Sequence, residues 1–195
     1  MRVKTLLVVV ASVLVLSAPM AFGQNLLVNG GFENQDFSGW QHTGDTTFDS
    51  VVTGPFYVYS GAQEGNWYAV LGPVGDQGML AQSFTDVAGG SYTLSFWLNG
   101  VGDDPSNFSA FIDGNQVYSA TDPNTGGNWT QFTFNFTGTG NDTISFSYRD
   151  DPAYIALDNV SVTQNGGTVP EPSSFLLMGS GVLGLAGVIR RKLVG

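Results

Sequence analysis

The chain has 195 residues, 27 of them glycine (about twice the usual share); 11% are charged, 13% are aromatic, and there is no cysteine and one histidine. This apolar and aromatic content is too high for a disordered acidic chain, and the missing cysteines and histidines exclude disulfide scaffolds, thiol catalysis, thiolate zinc sites and multi-histidine metal sites. The net charge is −10, yet between Gln24 and Val169 15 acids face a single base, Arg149, a surface that repels nucleic acid and suits uncharged partners, or anionic ones bridged by a divalent cation.

Residues 1–23 combine a basic start (Arg2, Lys4), an apolar run from Leu6 to Leu16 and the small-residue close Ala21-Phe22-Gly23. This is the layout of a secretory signal peptide cleaved before Gln24, and the apolar run is short for a membrane span. From residue 24 to residue 163 the period is two, not 3.6. Tyr92, Leu94, Phe96 and Leu98 alternate with Thr93, Ser95 and Trp97. Phe132, Phe134 and Phe136 alternate with Thr133 and Asn135, and Ile144, Phe146 and Tyr148 with Thr143, Ser145 and Ser147. Such alternation marks strands with one buried face. Asp113-Gly114 between two such runs is a strong hairpin signal, and residues 136–142 supply a further turn between strands. About eight or nine strands at regular spacing predict one all-β domain over 24–163, a two-sheet jelly-roll β-sandwich, followed by a linker at 164–169.

Within this body, Trp97 and Phe111 lie on the opposite parity from the apolar residues of their own strands. Large rings on a solvent face mark binding patches, here for sugars, whose C–H faces stack on aromatics. Trp67, Trp129, Tyr57 and Tyr59, at strand or loop ends, are further stacking candidates, whereas Trp40 after Gly39 reads as a core plug. Catalysis finds little support. His42 sits in a Gly/Thr loop without a nearby nucleophile, no G-x-S-x-G elbow occurs, and no phosphate-cradling glycine motif precedes a helix. No catalytic residue is assigned.

At the other end, Pro170-Glu171-Pro172 precedes an apolar stretch at 173–189 and the basic tail Arg190-Arg191-Lys192. Seventeen residues span roughly 25 Å as a helix, enough for a thin or untilted crossing, and the basic tail places that end in the cytoplasm. This order of motif, apolar helix and basic tail resembles the PEP-CTERM sorting signal of Gram-negative bacteria. The resemblance implies an exosortase-type membrane protease as partner, with Pro170, Glu171 and Pro172 as its substrate. It also implies a cell-envelope protein held by a transmembrane helix until it is processed, then surface-bound or secreted, and associated with exopolysaccharide or biofilm.

The opening "NLLVNGGFENQDFSGW" (25–40) and the closing "YIALDNVSV" (154–162) resemble the first and last strands of galactose-binding-like jelly rolls, especially carbohydrate-binding modules. Many of those modules hold a structural calcium ion between the first loop and the last strand. By motif the ligands here are Glu33 and Asp158, helped by backbone carbonyls near Asn29 to Gly31. Asn159 stands where a second aspartate often occurs. Asp103-Asp104 and Asp150-Asp151 are rival acidic pairs that read as polar loops.

Together these features predict an exported, non-catalytic envelope or extracellular-matrix protein that binds polysaccharide and possesses a structural calcium ion. The alternatives are a structural surface protein that self-associates through its sheet edges without binding sugar and, more distantly, a glycan hydrolase, for which two suitably spaced carboxylates would be needed.

Overall fold

The computed structural model of the chain describes residues 23–151 and 153–166; the expected signal peptide up to residue 22, the Pro-Glu-Pro motif, the apolar segment 173–189 and the basic tail lie outside the described residues. Every regular element among the described residues is a strand, and no helix there is long and apolar enough to cross a membrane. The strands are β1 (Gln41–Gly44), β2 (Ser50–Thr53), β3 (Trp67–Leu71), β4 (Gly78–Thr85), β5 (Ser91–Asn99), β6 (Ser106–Ile112), β7 (Asn115–Thr121), β8 (Thr130–Thr137), β9 (Asn141–Asp150) and β10 (Ile155–Gln164). They form two five-stranded antiparallel sheets, one in the order β1-β4-β9-β6-β7 and the other β2-β3-β10-β5-β8. The two-sheet sandwich expected from the alternation is therefore present.

The alternating residues build the core between the sheets. Tyr92, Leu94, Phe96 and Leu98 of β5 are buried, as are Ile144, Phe146 and Tyr148 of β9. Phe96 joins the layers: its ring centroid lies 5.2 Å from Phe146 and 5.8 Å from Phe108 across the sandwich, and 5.6 Å from Phe132 beside it. Such pairs add about 0.5–1.5 kcal/mol each beyond the area they bury. Phe132, Phe134 and Phe136 are only partly buried because β8 is an edge strand. At the Asp113-Gly114 hairpin both residues have positive φ (49° and 75°), the geometry of a type I′ turn, which suits the twist of β6 and β7.

Two expectations change. There are ten strands, because two four-residue strands, β1 and β2, carry no alternating apolar pattern. The turn at 136–142 does lie between strands, and it passes from one sheet to the other, since β8 and β9 belong to different ones. Residues 25–40 form turns and bends instead of a first strand. Asn29, Phe32 and Gln35 have positive φ, and these left-handed residues bend the chain away from an extended path. The segment still lies along β10: Leu26 N donates to Val162 O, Val160 N donates to Gly30 O, and Asn25 bonds the backbone of both valines.

The sandwich has two ends. The rim carries the loops 45–49, 72–77, 100–105, 122–129 and 151–154; the opposite end carries the loops 86–90, 113–114 and 138–140. β10 runs from the rim to that opposite end, where Gly23 lies against Thr163 and Gln164. Asn165 continues the attachment by donating its backbone N–H to Ser91 O at 2.8 Å.

Candidate carbohydrate-binding face and acidic sites

After β2 the chain folds into a finger, residues 54–61, that lies on the outer face of the second sheet. Phe56 and Tyr59 exchange backbone hydrogen bonds of 3.1 and 2.9 Å, leaving Tyr57 (φ +53°) and Val58 at the tip. The finger covers Tyr68 and Val70 of β3 and Ala156 of β10, making a second small apolar cluster with Tyr59. Tyr68 donates its hydroxyl to Gly54 O and Trp129 its indole N–H to Gly61 O, both at 3.0 Å. Tyr59 donates its hydroxyl to Tyr154 O.

This arrangement sorts the aromatic candidates. Tyr59 is 1% exposed, so it is a core residue of the finger and not a surface platform; the fold-back that buries it is a tertiary event with no local signal. Trp129 is half-buried with its edge against Tyr68, and Trp67 is half-buried at the start of β3. Tyr57 is 54% exposed and donates to Asp103 at 3.3 Å. Trp97 is half-buried on the outer face of β5, with Asp158 of β10 in register on one side and Gln131 of β8 on the other. Phe111 is also half-buried on an outer face, but on the other sheet, opposite Ser145 of β9. The structure therefore does not bring Trp97 and Phe111 together. Trp40 is the expected plug, 8% exposed and donating its indole N–H to Asn29 O.

Around Trp97 the finger covers β3 and β10 and leaves β5 and β8 open. That open strip carries Thr93, Ser95, Gln131, Thr133 and Asn135. Gln131 donates to Ser95 Oγ at 2.8 Å and Thr93 to Asn135 Oδ1 at 2.7 Å. It is one large ring in a field of amides and hydroxyls.

Glu33 and Asp158 do come together. The position a Cβ would take at Gly31 lies 3.9 Å from both Asp158 Oδ1 and Glu33 Cγ. Glu33 Oε1 accepts the backbone N–H groups of Asn66 and Trp67 at 2.8 and 2.9 Å. Asp158 is fully buried under residues 62–66; its carboxylate accepts the backbone N–H groups of Gln63, Glu64 and Asn159. Burial pushes the Asp158 carboxyl up to about 6 against the pull of those donors, and the Glu33 charge adds to the rise. Two adjacent like charges with oxygen donors only fit a hard cation such as calcium. Among the described residues no three acidic or histidine side chains converge on one point, so such an ion would complete its shell with carbonyls and water. The Asn29 carbonyl already accepts from Trp40 and Phe32, and that of Gly30 from Val160, which leaves Gly31 of the expected helpers. Asn159 has its own reason to be an amide: it donates to Gln63 Oε1 and to Glu64 Oε2, where an aspartate would meet a like charge.

The rim holds acids that differ from plain polar loops. Asp150 is 2% exposed at the end of β9, and burial, aided by the charges of Asp103, Asp151 and Asp122, pushes its carboxyl up to about 7. Parity could have revealed this, because Asp150 continues the inward series Ile144, Phe146, Tyr148. Asp151 is paired with Arg149. His42 lies on β1, its Nε2 2.7 Å from Asp49 Oδ2, which also accepts the Tyr148 hydroxyl. This ties β1 to β9, and among the described residues no hydrogen bond links the other ring nitrogen to a nucleophile.

A family described as a carbohydrate binding domain matches residues 24–147, and one described as the PEP-CTERM protein-sorting motif matches residues 168–192. Among solved structures, TmCBM61 in complex with β-1,4-galactotriose aligns with a TM-score of 0.61 at 21% identity, covering 73% of this chain and 99% of that one. The K1 cleaved adhesin domain of Lys-gingipain from Porphyromonas gingivalis W83 aligns at 0.54 and 16% identity, covering 70% and 96%. The enzymatically active domain of bacteriophage CBA120 tailspike protein 4 aligns at 0.54 and 20% identity, but with only 21% of its length. At these identities the likenesses establish the jelly-roll fold. No curated protein matches by sequence. The sorting motif makes this an exported, envelope-associated chain of the kind exosortases process. The chain belongs to the carbohydrate binding domain family and is an extracellular sugar-binding protein with a PEP-CTERM sorting segment.

Proposed function

We propose that this protein is a non-catalytic polysaccharide-binding component of the extracellular matrix, taking its glycan across the open strip of β5 and β8. The supporting observation is Trp97, a half-buried ring on the outer face, flanked by Gln131 and Ser95 on an otherwise polar sheet face. The ring stacks on the C–H face of a sugar, and the amides and hydroxyls take its hydroxyl groups. An acidic body favours neutral chains, and β-1,4-galactan is a first choice because galactotriose is bound by TmCBM61. Calcium at Glu33 and Asp158 holds residues 62–66 beside Trp97 and so shapes one side of the strip. The test is a glycan array followed by titration of the best ligand. Trp97→Ala should lose at least tenfold in affinity, about 1.4 kcal/mol, with unchanged melting. Retention of affinity in that variant, or turnover of the glycan, would overturn the reading.

A second reading, self-association, rests on the edge strands. β7 (NQVYSAT) and β8 (TQFTFNFT) carry no charge and no proline, so these edges lack the usual guards against strand pairing. Concentration-dependent sedimentation without any glycan retention would favour it.

A further inference from the structure

We propose that the rim carries a second divalent-cation site, separate from Glu33 and Asp158, in which Asp150 and Asp103 supply the carboxylates and calcium is the occupant. The argument begins with Asp150 Oδ1, which is buried and, among the described residues, has no hydrogen-bond partner, the Ala153 backbone N–H being the one backbone donor that acts on this carboxylate. Its residue is 2% exposed, so bulk solvent does not reach it. A buried charged oxygen without a donor is a costly arrangement unless a cation or a proton meets it. The groups whose charges act on it are Asp103, Asp151 and Asp122, all negative. Arg149, the one base of the body, is committed to Asp151.

The neighbouring acids are not equivalent. Asp151 also accepts the Gly75 N–H, and Asp122 accepts the Ser106 N–H while donating its own N–H to Ser106 O. Ser106 is in register with Asp150, so that exchange fixes the end of β7 beside it. Asp103 is different: among the described residues its one side-chain partner is the Tyr57 hydroxyl, at a long 3.3 Å. It is the carboxylate free to turn toward Asp150. With oxygen donors only and, among the described residues, no third acid close enough to close a cage, the site would take carbonyls and waters as well. That irregular mixed shell suits calcium better than magnesium, which demands a near-octahedral one. Affinity should fall in the range of extracellular calcium modules, about 0.1–1 mM. Occupied, the site ties the fingertip, through Tyr57 and Asp103, to the end of β9.

The competing explanation is that Asp150 holds a proton and no metal. The test uses the full-length protein in detergent, stripped of calcium. It combines calcium calorimetry, thermal melting, and terbium luminescence excited through tyrosine, since Tyr57 and Tyr59 border the rim site. Glu33→Gln should keep one saturable calcium site, tyrosine-sensitised with terbium and competed by calcium. Adding Asp150→Asn should abolish that site and its calcium-dependent melting rise. Melting without calcium should stay level or increase, because a buried charge with an unmet Oδ1 is gone, and this shows the variant to be folded. Asp103→Asn should weaken the site at least tenfold. No calcium response in Glu33→Gln up to about 10 mM, or a response that survives Asp150→Asn, overturns the proposal. If Asp150→Asn removes a site while Glu33→Gln removes none, the rim site stands and the reading of Glu33 and Asp158 falls.

Discussion

At Asp158 and Asp150 burial opposes ionisation, and the sign of the pH response follows from that. Their folded values, about 6 and about 7, lie above the ordinary aspartate value near 3.9. Between about pH 4 and pH 7 the folded chain therefore binds more protons than the unfolded one, and stability falls as pH rises through the two folded values. Asp142, although buried, is held below the usual range by the Thr139 hydroxyl and N–H, so its contribution is lost only in stronger acid. In chelator the protein should melt several degrees higher at pH 5 than at pH 7.5, on the order of a few kcal/mol. Saturating calcium should flatten or invert that difference, because the cation replaces the protons. A higher midpoint at pH 7.5 in chelator would contradict the assignment. Gly65 gives a second check. Its φ is +69°, and a Cβ there would lie 2.3 Å from Glu33 Oε1. Gly65→Ala should cost about 1–2 kcal/mol and displace the Glu33 carboxylate, weakening calcium at that site while leaving the rim response intact.

Among the elements, β5 links the two layers, since Phe96 touches aromatics of both sheets. Phe96→Ala should destabilise by about 3–5 kcal/mol in chemical denaturation; a loss under 1 kcal/mol would mean that the layers are joined elsewhere. The long strands were legible because period two survives in β5, β8 and β9. β1 and β2 were not, because QHTG and SVVT are too short to show a period and form by pairing with β4 and β3. Residues 25–40 read as a first strand by motif resemblance; their hydrogen bonds do run along β10, but left-handed residues interrupt the extended backbone. Parity correctly sent Trp97 and Phe111 outward. It reports only the side of a residue's own strand, however, so it could not place the two rings on different sheets. The pairing of Glu33 with Asp158 rested on motif resemblance, while the burial of Tyr59 needed the finger to fold.

For the whole molecule, sorting and presentation depend on opposite regions of the chain. Replacing Pro170, Glu171 and Pro172 with alanine should leave a longer, membrane-retained form, read by intact mass and fractionation. Identical masses in wild type and variant would reject processing at that motif. Both chain ends of the sandwich leave from one pole, where Gly23 lies beside Gln164. The ten residues of β10, at about 3.3 Å each, set that pole roughly 30 Å from Tyr57 and Asp103. A body gripped through its C-terminal segment is thus held by the foot with its crown outward. Loops 86–90, 113–114 and 138–140 face whatever does the gripping, while the fingertip samples the space beyond.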